Sequence, residues 1–362
     1  MNILILNSAQ GKYPVGNDPW IEATLSVIRS LSAQDVHILC STDPSPWDIV
    51  TYLAGINGMQ LRLIVKSEDD KAGYDEYARL RDEFALDENR TTPLFLGTHD
   101  YRHPKKVWQS RDCFALQNAD VIYPVSIRRG GRLEKLLSLG NFDAEIRNDF
   151  RTEWSLNRWK INYNFEFREL NPFPADKWLI HWTRASQGPW QGEKAWEFYR
   201  DLFAYPSAYV RSAEKTLFKI LDEQKIRGAS WLLPKGENAV SLSSLDMRNS
   251  LNLMRWRKRF VRYSFEPFGI GIKSDILISM GAREVIYRRD SSESSSGDRL
   301  FIHSPGIKNN WKKEQEWRLR GDLILKGIDT HDKLIIVPDA AAAERVRASF
   351  GHDFIIHTLF KG

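Results

Sequence analysis

From residue 1 to about 140, short apolar runs alternate with stretches whose apolar positions recur at helical spacing. The runs Ile3 to Leu6, Val36 to Cys40, Leu61 to Val65, Pro93 to Leu96 and Val121 to Val125 are continuous rather than alternating, as parallel strands buried on both faces require. Between them, Ile21 to Leu31, Trp47 to Gly55, Glu76 to Phe84, Val107 to Asn118 and Arg132 to Leu139 read as helices, several with Asp, Ser or Pro near the start. Strand and helix in succession predict a Rossmann-like parallel sheet over residues 1–145. The pattern then loosens across 146–175, a connecting segment that ends at Asn171-Pro172-Phe173-Pro174. Residues 176–362 mix strands (Trp178 to Thr183, Ala239 to Leu242, Phe268 to Ile272, Glu284 to Tyr287, Glu316 to Leu325, Leu334 to Val337, Phe354 to His357) with helices (Glu193 to Phe203, Ala213 to Gln224, Ala340 to Phe350). The fold class expected is therefore α/β, a Rossmann-like parallel sheet followed by a mixed α+β domain. The polar stretch Asp290 to Asp298 is expected to be an exposed loop.

Composition fits this picture. At 362 residues the chain exceeds what one core organises, and 42% hydrophobic with 27% charged residues is globular. No apolar run is long enough to cross a bilayer, so no membrane partner is expected. The start Met1-Asn2-Ile3-Leu4-Ile5-Leu6 lacks a basic leader and reads as a strand. Cys40 and Cys113 alone make neither a disulfide scaffold nor a zinc pattern, and no metal ligand set is expected. A reducing cytoplasm is the expected location. A net charge of +5 is modest, but dense arginine among 13 tryptophans suits phosphate neutralisation and base stacking, as it suits a basic surface over an aromatic core.

In an open parallel sheet, ligands bind beyond the carboxyl ends of the strands. The residues there are Asn7-Ser8-Ala9-Gln10-Gly11, Ser41-Thr42-Asp43-Pro44, Gly97-Thr98-His99-Asp100 and Ser126-Ile127-Arg128-Arg129-Gly130-Gly131-Arg132. The last opens a helix, and Arg128 and Arg129 with the glycine amides could meet a phosphate. Equally, all four are ordinary capped turns. No G-x-G-x-x-G or Walker pattern is present.

The second half carries the sharper chemistry. In Trp178-Leu179-Ile180-His181-Trp182-Thr183-Arg184, strand alternation puts His181 and Thr183 on one face. In Trp311 to Asp322, Glu314, Glu316, Arg318 and Arg320 share a face opposite Trp317 and Leu319. Carboxylates and guanidinium groups so clustered form either a solvated ion-pair ladder or a site. In Met254 to Tyr263, Arg255, Arg257, Arg259 and Arg262 interleave with Trp256, Phe260 and Tyr263. That segment either grips a nucleic-acid strand, with Trp256 or Tyr263 stacking on a base, or buries its rings and solvates its charges.

His181-Trp182-Thr183, the polar strand Ser241 to Ser244, Phe268-Gly269-Ile270-Gly271-Ile272 before Val285-Ile286-Tyr287, and Trp311 with Glu314-Gln315-Glu316-Trp317-Arg318 together resemble a widespread bacterial family with a terminal Glu-Trp-Arg signature. More distantly they resemble the ADP-ribosyltransferase-like arrangement. The resemblance covers about residues 176 to 362. It implies a first-strand His that holds a ribose, a central Ser, Thr or Tyr, and a last Glu that supports a cationic transition state. Breaking an N-glycosidic bond builds positive charge on the sugar, so a fixed carboxylate is the minimal requirement. Glu316 is the first candidate, with Glu314 activating a water or acceptor, His181 holding a sugar hydroxyl or phosphate, and Arg318 keeping the carboxylates ionised. Thr183, Arg184, Ser241 and Ser243 are expected substrate contacts, and Asp246 and Glu266 weaker carboxylate candidates. The expectation is a DNA glycosylase that removes a modified base in defence against phage. Its partner would be duplex DNA with the target base flipped out, and it would use no cofactor. The alternatives are an ADP-ribosyltransferase or NAD glycohydrolase, for which NAD would be required, and a non-catalytic nucleotide sensor.

Overall fold

The computed structural model describes residues 1–43, 45–97, 104–156, 163, 169–174, 177–230, 233–287, 299–303 and 314–361. It divides into two compact units, residues 1–160 with 192–210, and residues 161–191 with 211–362.

In the first unit, β1 (Asn2–Asn7), α1 (Pro19–Leu31), β2 (His37–Cys40), α2 (Ser45–Ile56), β3 (Gln60–Ser67), α3 (Asp70–Phe84), β4 (Thr91–Gly97), α4 (Pro104–Gln117), β5 (Val121–Ser126), α5 (Arg132–Leu139) and the short β6 (Glu145–Ile146) alternate along the chain. The strands form a parallel six-stranded sheet in the order β4-β3-β2-β1-β5-β6, the Rossmann-like arrangement expected. The continuous apolar runs follow from burial on both faces: Ile3, Leu4, Ile5 and Leu6 are each within 1% of fully buried. Helix ends follow their caps. Asp69 accepts from the Ala72 amide at 2.8 Å, and α3 stops where Ala85 takes the left-handed conformation.

Helix α6 (Ala195–Ala204) belongs to this first unit, although the sequence pattern placed it with the second domain. The reason is its aromatic face. Phe203 stacks on Tyr52 at 5.8 Å, Tyr199 lies 5.5 Å from Tyr52, and the Tyr199 hydroxyl donates to Asp48 at 3.3 Å. Burial above all pushes the Asp48 carboxyl up to about 6.

The second unit contains β7 (Trp178–Trp182), α7 (Ala213–Glu223), β8 (Lys225–Ile226), β9 (Ala239–Ser243), α8 (Met247–Leu253), β10 (Trp256–Arg257), β11 (Arg262–Tyr263), β12 (Gly269–Lys273), α9 (Ser274–Ser279), β13 (Arg283–Glu284), β14 (Ile286–Tyr287), β15 (Ile302–His303), β16 (Glu316–Arg320), β17 (Leu323–Ile324), β18 (Lys333–Val337), α10 (Ala340–Phe350) and β19 (Ile355–Thr358). Its main sheet runs β13-β16-β9-β7-β12-β18-β19 and is antiparallel except for the β18–β19 pair. The core on one face joins Leu179, Leu242, Ile270, Leu319 and Ile335 to Leu217 and Leu221 of α7 and Val346 of α10. Fully burying each such side chain contributes about 1.5–3 kcal/mol.

Two strands expected as continuous are broken. Gly321, at φ 78°, turns the chain after Arg320, and Asp322 accepts from the Gly228 amide at 2.8 Å, so β17 pairs with β8 instead. Val285 donates to the Glu316 carbonyl at 2.8 Å, after which β14 leaves β16 to pair in parallel with β15. The connecting segment is also shared out. Thr152 bonds the Val125 carbonyl at 2.7 Å in the first unit, while Asn171 bonds the Leu359 carbonyl at 2.9 Å in the second. The expected loop Asp290 to Asp298, Trp311 and the turn residues Pro44, Thr98, His99 and Asp100 lie outside the described residues.

Candidate active site

The second unit holds a cleft of about 470 Å³ whose floor includes the neighbouring strands β7, β9 and β16. Strand β7 presents His181 and β9 presents Ser241, while Glu316 and Arg318 stand on β16. Close strand approach helps to place them: a side chain at Gly269 of β12 would come within 2.9 Å of the His181 carbonyl and 3.1 Å of the Trp182 ring.

The side chains make a connected row. His181 Nδ1 lies 2.9 Å from the Ser241 carbonyl, and because that oxygen only accepts, Nδ1 carries the proton. Burial, and then the charge of Arg184, lower the proton affinity of the ring, while the Ser241 contact opposes them. The neutral ring then keeps Nε2 as an acceptor, which suits a sugar hydroxyl and not a phosphate oxygen. Ser241 Oγ donates to Glu316 Oε1 at 3.0 Å. Arg318 Nε donates to the same oxygen at 2.9 Å and Nη2 reaches Oε2 at 3.3 Å, while Nη1 is anchored on the Leu300 carbonyl at 2.7 Å. The Arg318 side chain is only 6% exposed and that of Glu316 16%. This is a buried, oriented pair and not a solvated ladder.

Glu314 lines the same cleft but does not continue the strand. Gln315 has φ 43°, which turns Glu314 off the regular alternation, and Ser243 Oγ holds the Glu314 carbonyl at 2.7 Å. Arg318 therefore does not keep both carboxylates ionised, as the sequence suggested. Burial, and then the nearby charge of Glu316, push the Glu314 carboxyl up to about 7, against the pull of Arg257, whose Nη2 stands 3.8 Å away.

Other expected residues take structural roles. Thr183 lines the cleft, but it is 2% exposed and its hydroxyl donates to the Ala213 and Phe268 carbonyls at 3.0 and 3.2 Å. Ser243, 3% exposed, positions Glu314 through its backbone. Arg320 pairs with Glu237 at 2.6 Å, away from the cleft lining. Asp246 caps α8 by accepting from the Asn249 amide at 2.9 Å. Glu266 accepts from the Ala185 amide at 2.7 Å and the Tyr163 hydroxyl at 2.8 Å. Arg184 lines the cleft as expected.

The basic segment forms a two-stranded ribbon, β10 against β11. Trp256 packs edge-on against Tyr263 at 5.2 Å, so this ring is engaged within the protein. Arg257 donates to Ser264 Oγ at 2.6 Å and faces Glu314, and Arg262 lines the cleft. Arg255, Lys258 and Arg259 are exposed. Arg128 and Arg129 lie in the first unit, where the Arg128 guanidinium covers the Trp154 ring at 5.2 Å and the Gly130 amide is taken by Glu134 at 2.6 Å. That carboxylate occupies an amide the sequence offered to phosphate. Sequence reasoning missed His303, Trp190 and Arg227, which also line the cleft. His303 follows from no pattern, since its strand is two residues long.

No family model, curated protein or solved structure matches this chain. No described helix is long and apolar enough to cross a membrane.

Proposed function

We propose that the second unit cleaves the N-glycosidic bond of a nucleotide. The observation that carries this reading is the row His181–Ser241–Glu316–Arg318 across three neighbouring strands of one cleft, with the Glu314 carboxyl beside it raised to about 7 by burial. A carboxylate fixed by Arg318 beside a carboxyl raised by burial supplies the two roles that glycosidic cleavage needs. The Glu316 carboxylate, fixed by Arg318 and Ser241, faces the charge that grows on the sugar as the bond to the base lengthens. The protonated fraction of Glu314 gives its proton to the base nitrogen that receives the bonding electron pair. Its carboxylate then takes a proton from the water that adds to the anomeric carbon, which restores the starting state. His181 Nε2 accepts a hydrogen bond from the substrate, from a base amino group in DNA, whose internal sugar has no free hydroxyl, or from a ribose hydroxyl in NAD.

DNA with an extruded nucleotide, including modified bases of phage DNA, is the substrate we favour. Exposed Arg255, Lys258 and Arg259 continue from Arg262 at the cleft and suit flanking phosphates. The engaged ring of Trp256 favours a second reading, in which NAD enters the cleft and nicotinamide leaves. Incubation with phage DNA and, separately, with radiolabelled NAD tests both. Free base with abasic sites supports the first, free nicotinamide the second, and neither product from either substrate overturns the proposal.

A further inference from the structure

The first unit has a crevice that the reading above does not use. In a doubly wound sheet, ligands bind where the strand order reverses, beyond the carboxyl ends of the strands. Here the chain runs from β1 through β2 and β3 to β4 on one side, then crosses back through α4 to β5 on the other side of β1, so the reversal falls between the ends of β1 and β5. A cavity of about 180 Å³ opens at that place, lined by Gln10, Asp18, Trp20, Ser126, Glu153 and Ser155 together with Pro19.

Its inner wall is ordered. Gln10 Nε2 donates to Ser126 Oγ at 3.1 Å, the Ser8 amide donates to the Ser126 carbonyl at 2.8 Å, and Trp154 Nε1 donates to the Ala9 carbonyl at 3.1 Å. Asp18, Trp20 and Ser126 are buried to 5%, 5% and 1% exposure. Asn7, the register partner of Ser126, is 6% exposed and gives its amide to Thr24 at 3.1 Å, while its Oδ1 meets no donor among the described residues.

The chemistry of the wall selects the ligand. The helix that follows the first strand of such a sheet ordinarily turns its amides to a phosphate. Helix α1 instead begins with the Asp18 carboxylate at its cap and Pro19, which has no N–H, at its first turn. Glu153 adds a second carboxylate, and neither lysine nor arginine is among the residues that line the cavity. A phosphate would be repelled. Two carboxylates accept from adjacent hydroxyls, an amide and two serines complete the polar set, and Trp20 offers an apolar face. We infer that this crevice binds an uncharged sugar ring with a vicinal diol, such as the ribose of a nucleoside, its hydroxyls donating to Asp18 and Glu153.

Calorimetric titration of the full chain with adenosine, its dideoxy analogue and AMP tests the inference. Adenosine should bind saturably, and loss of the diol should weaken it by about tenfold or more, because the buried Asp18 carboxylate then loses a donor, while the exposed Glu153 returns to water at little cost. AMP should bind more weakly than adenosine. Glu153→Gln and Gln10→Ala should each lower adenosine affinity with circular dichroism unchanged, while His181→Ala in the second unit should leave it as it is. Absence of saturable binding, equal binding of the dideoxy analogue, tighter binding of AMP, or loss of binding in His181→Ala would each overturn it. The last result would assign the nucleoside to the second unit's cleft and so separates this inference from the proposed activity.

Discussion

Glu314→Gln should make the second unit more stable, and only at high pH. The Glu314 carboxyl is held at about 7 by burial and by the charge of Glu316, against an ordinary value of 4.5. A carboxyl whose proton affinity is raised by folding adds no cost at low pH, where it is protonated in both states. The cost grows as the pH rises from the ordinary carboxylate range and is complete above about 7. With its side chain 15% exposed, solvent screens the group little, and the shift corresponds to about 3 kcal/mol near pH 8 and under about 1 kcal/mol near pH 5. Glutamine keeps the shape and removes the ionisation. Native-state hydrogen exchange at the slowest amides of β9 and β16 reads this unit by itself, without requiring the whole chain to unfold in one step. The variant should gain on the order of 2–3 kcal/mol over the native chain near pH 8 and little near pH 5. Equal protection at both pH values, or a variant less protected near pH 8, would refute the account of Glu314 as a carboxylate held against its preference.

Three further outcomes follow from the site. Glu316→Gln should lower turnover of whichever substrate is accepted by about a thousandfold with the fold intact, and an active variant would remove Glu316 from the mechanism. Arg255→Ala with Arg259→Ala should weaken DNA binding and reduce its logarithmic salt slope by about two, because both are exposed, whereas an unchanged slope would count against a basic track. Thr183→Val should cost about 1 kcal/mol of stability by removing the hydrogen bond of a buried hydroxyl while leaving KM unchanged, since the Phe268 carbonyl keeps the Thr183 amide at 2.9 Å, and a raised KM with native stability would return Thr183 to the substrate contacts.

The parallel sheet was legible because burial on two faces leaves a mark in composition. A run such as Ile38-Leu39-Cys40, fully buried, has no polar position to confuse it, and the thiol of Cys40 is pushed up to about 12 by the same burial. What was not legible depended on contacts distant in sequence. Helix α6 looks like any amphipathic helix between two strands of the second half, and only Tyr52, Asp48 and Phe84, more than a hundred positions earlier, decide which core it joins. The breaks at Gly321 and Val285 are of the same kind. A glycine in a strand is only a hint, and Asp322 acts as a stop because Lys225 stands 2.6 Å away and the Gly228 amide is there to be accepted.

At the candidate site, the residue types and the first strand were readable, but the division of labour between the carboxyls was not. Alternation places Glu314, Glu316, Arg318 and Arg320 in one row and implies that all share one environment. Gln315 breaks that row: its left-handed backbone ends the regular strand at Glu316, whose register partner is Ser243. Glu316 thereby stays in the pleat beside Arg318, two residues on, where the guanidinium can reach both its oxygens. Glu314 is carried to where Arg257, from a ribbon some sixty positions earlier, pairs with it at 3.8 Å. That distance is too long for a strong hydrogen bond, so burial prevails over charge pairing and the proton is retained to about 7. One residue of unusual backbone thus separates two chemically identical side chains into a paired carboxylate and an acid. Replacing Gln315 by glycine should preserve that separation, and replacing it by a residue that forces the extended conformation should abolish it, because geometry and not residue type sets the difference.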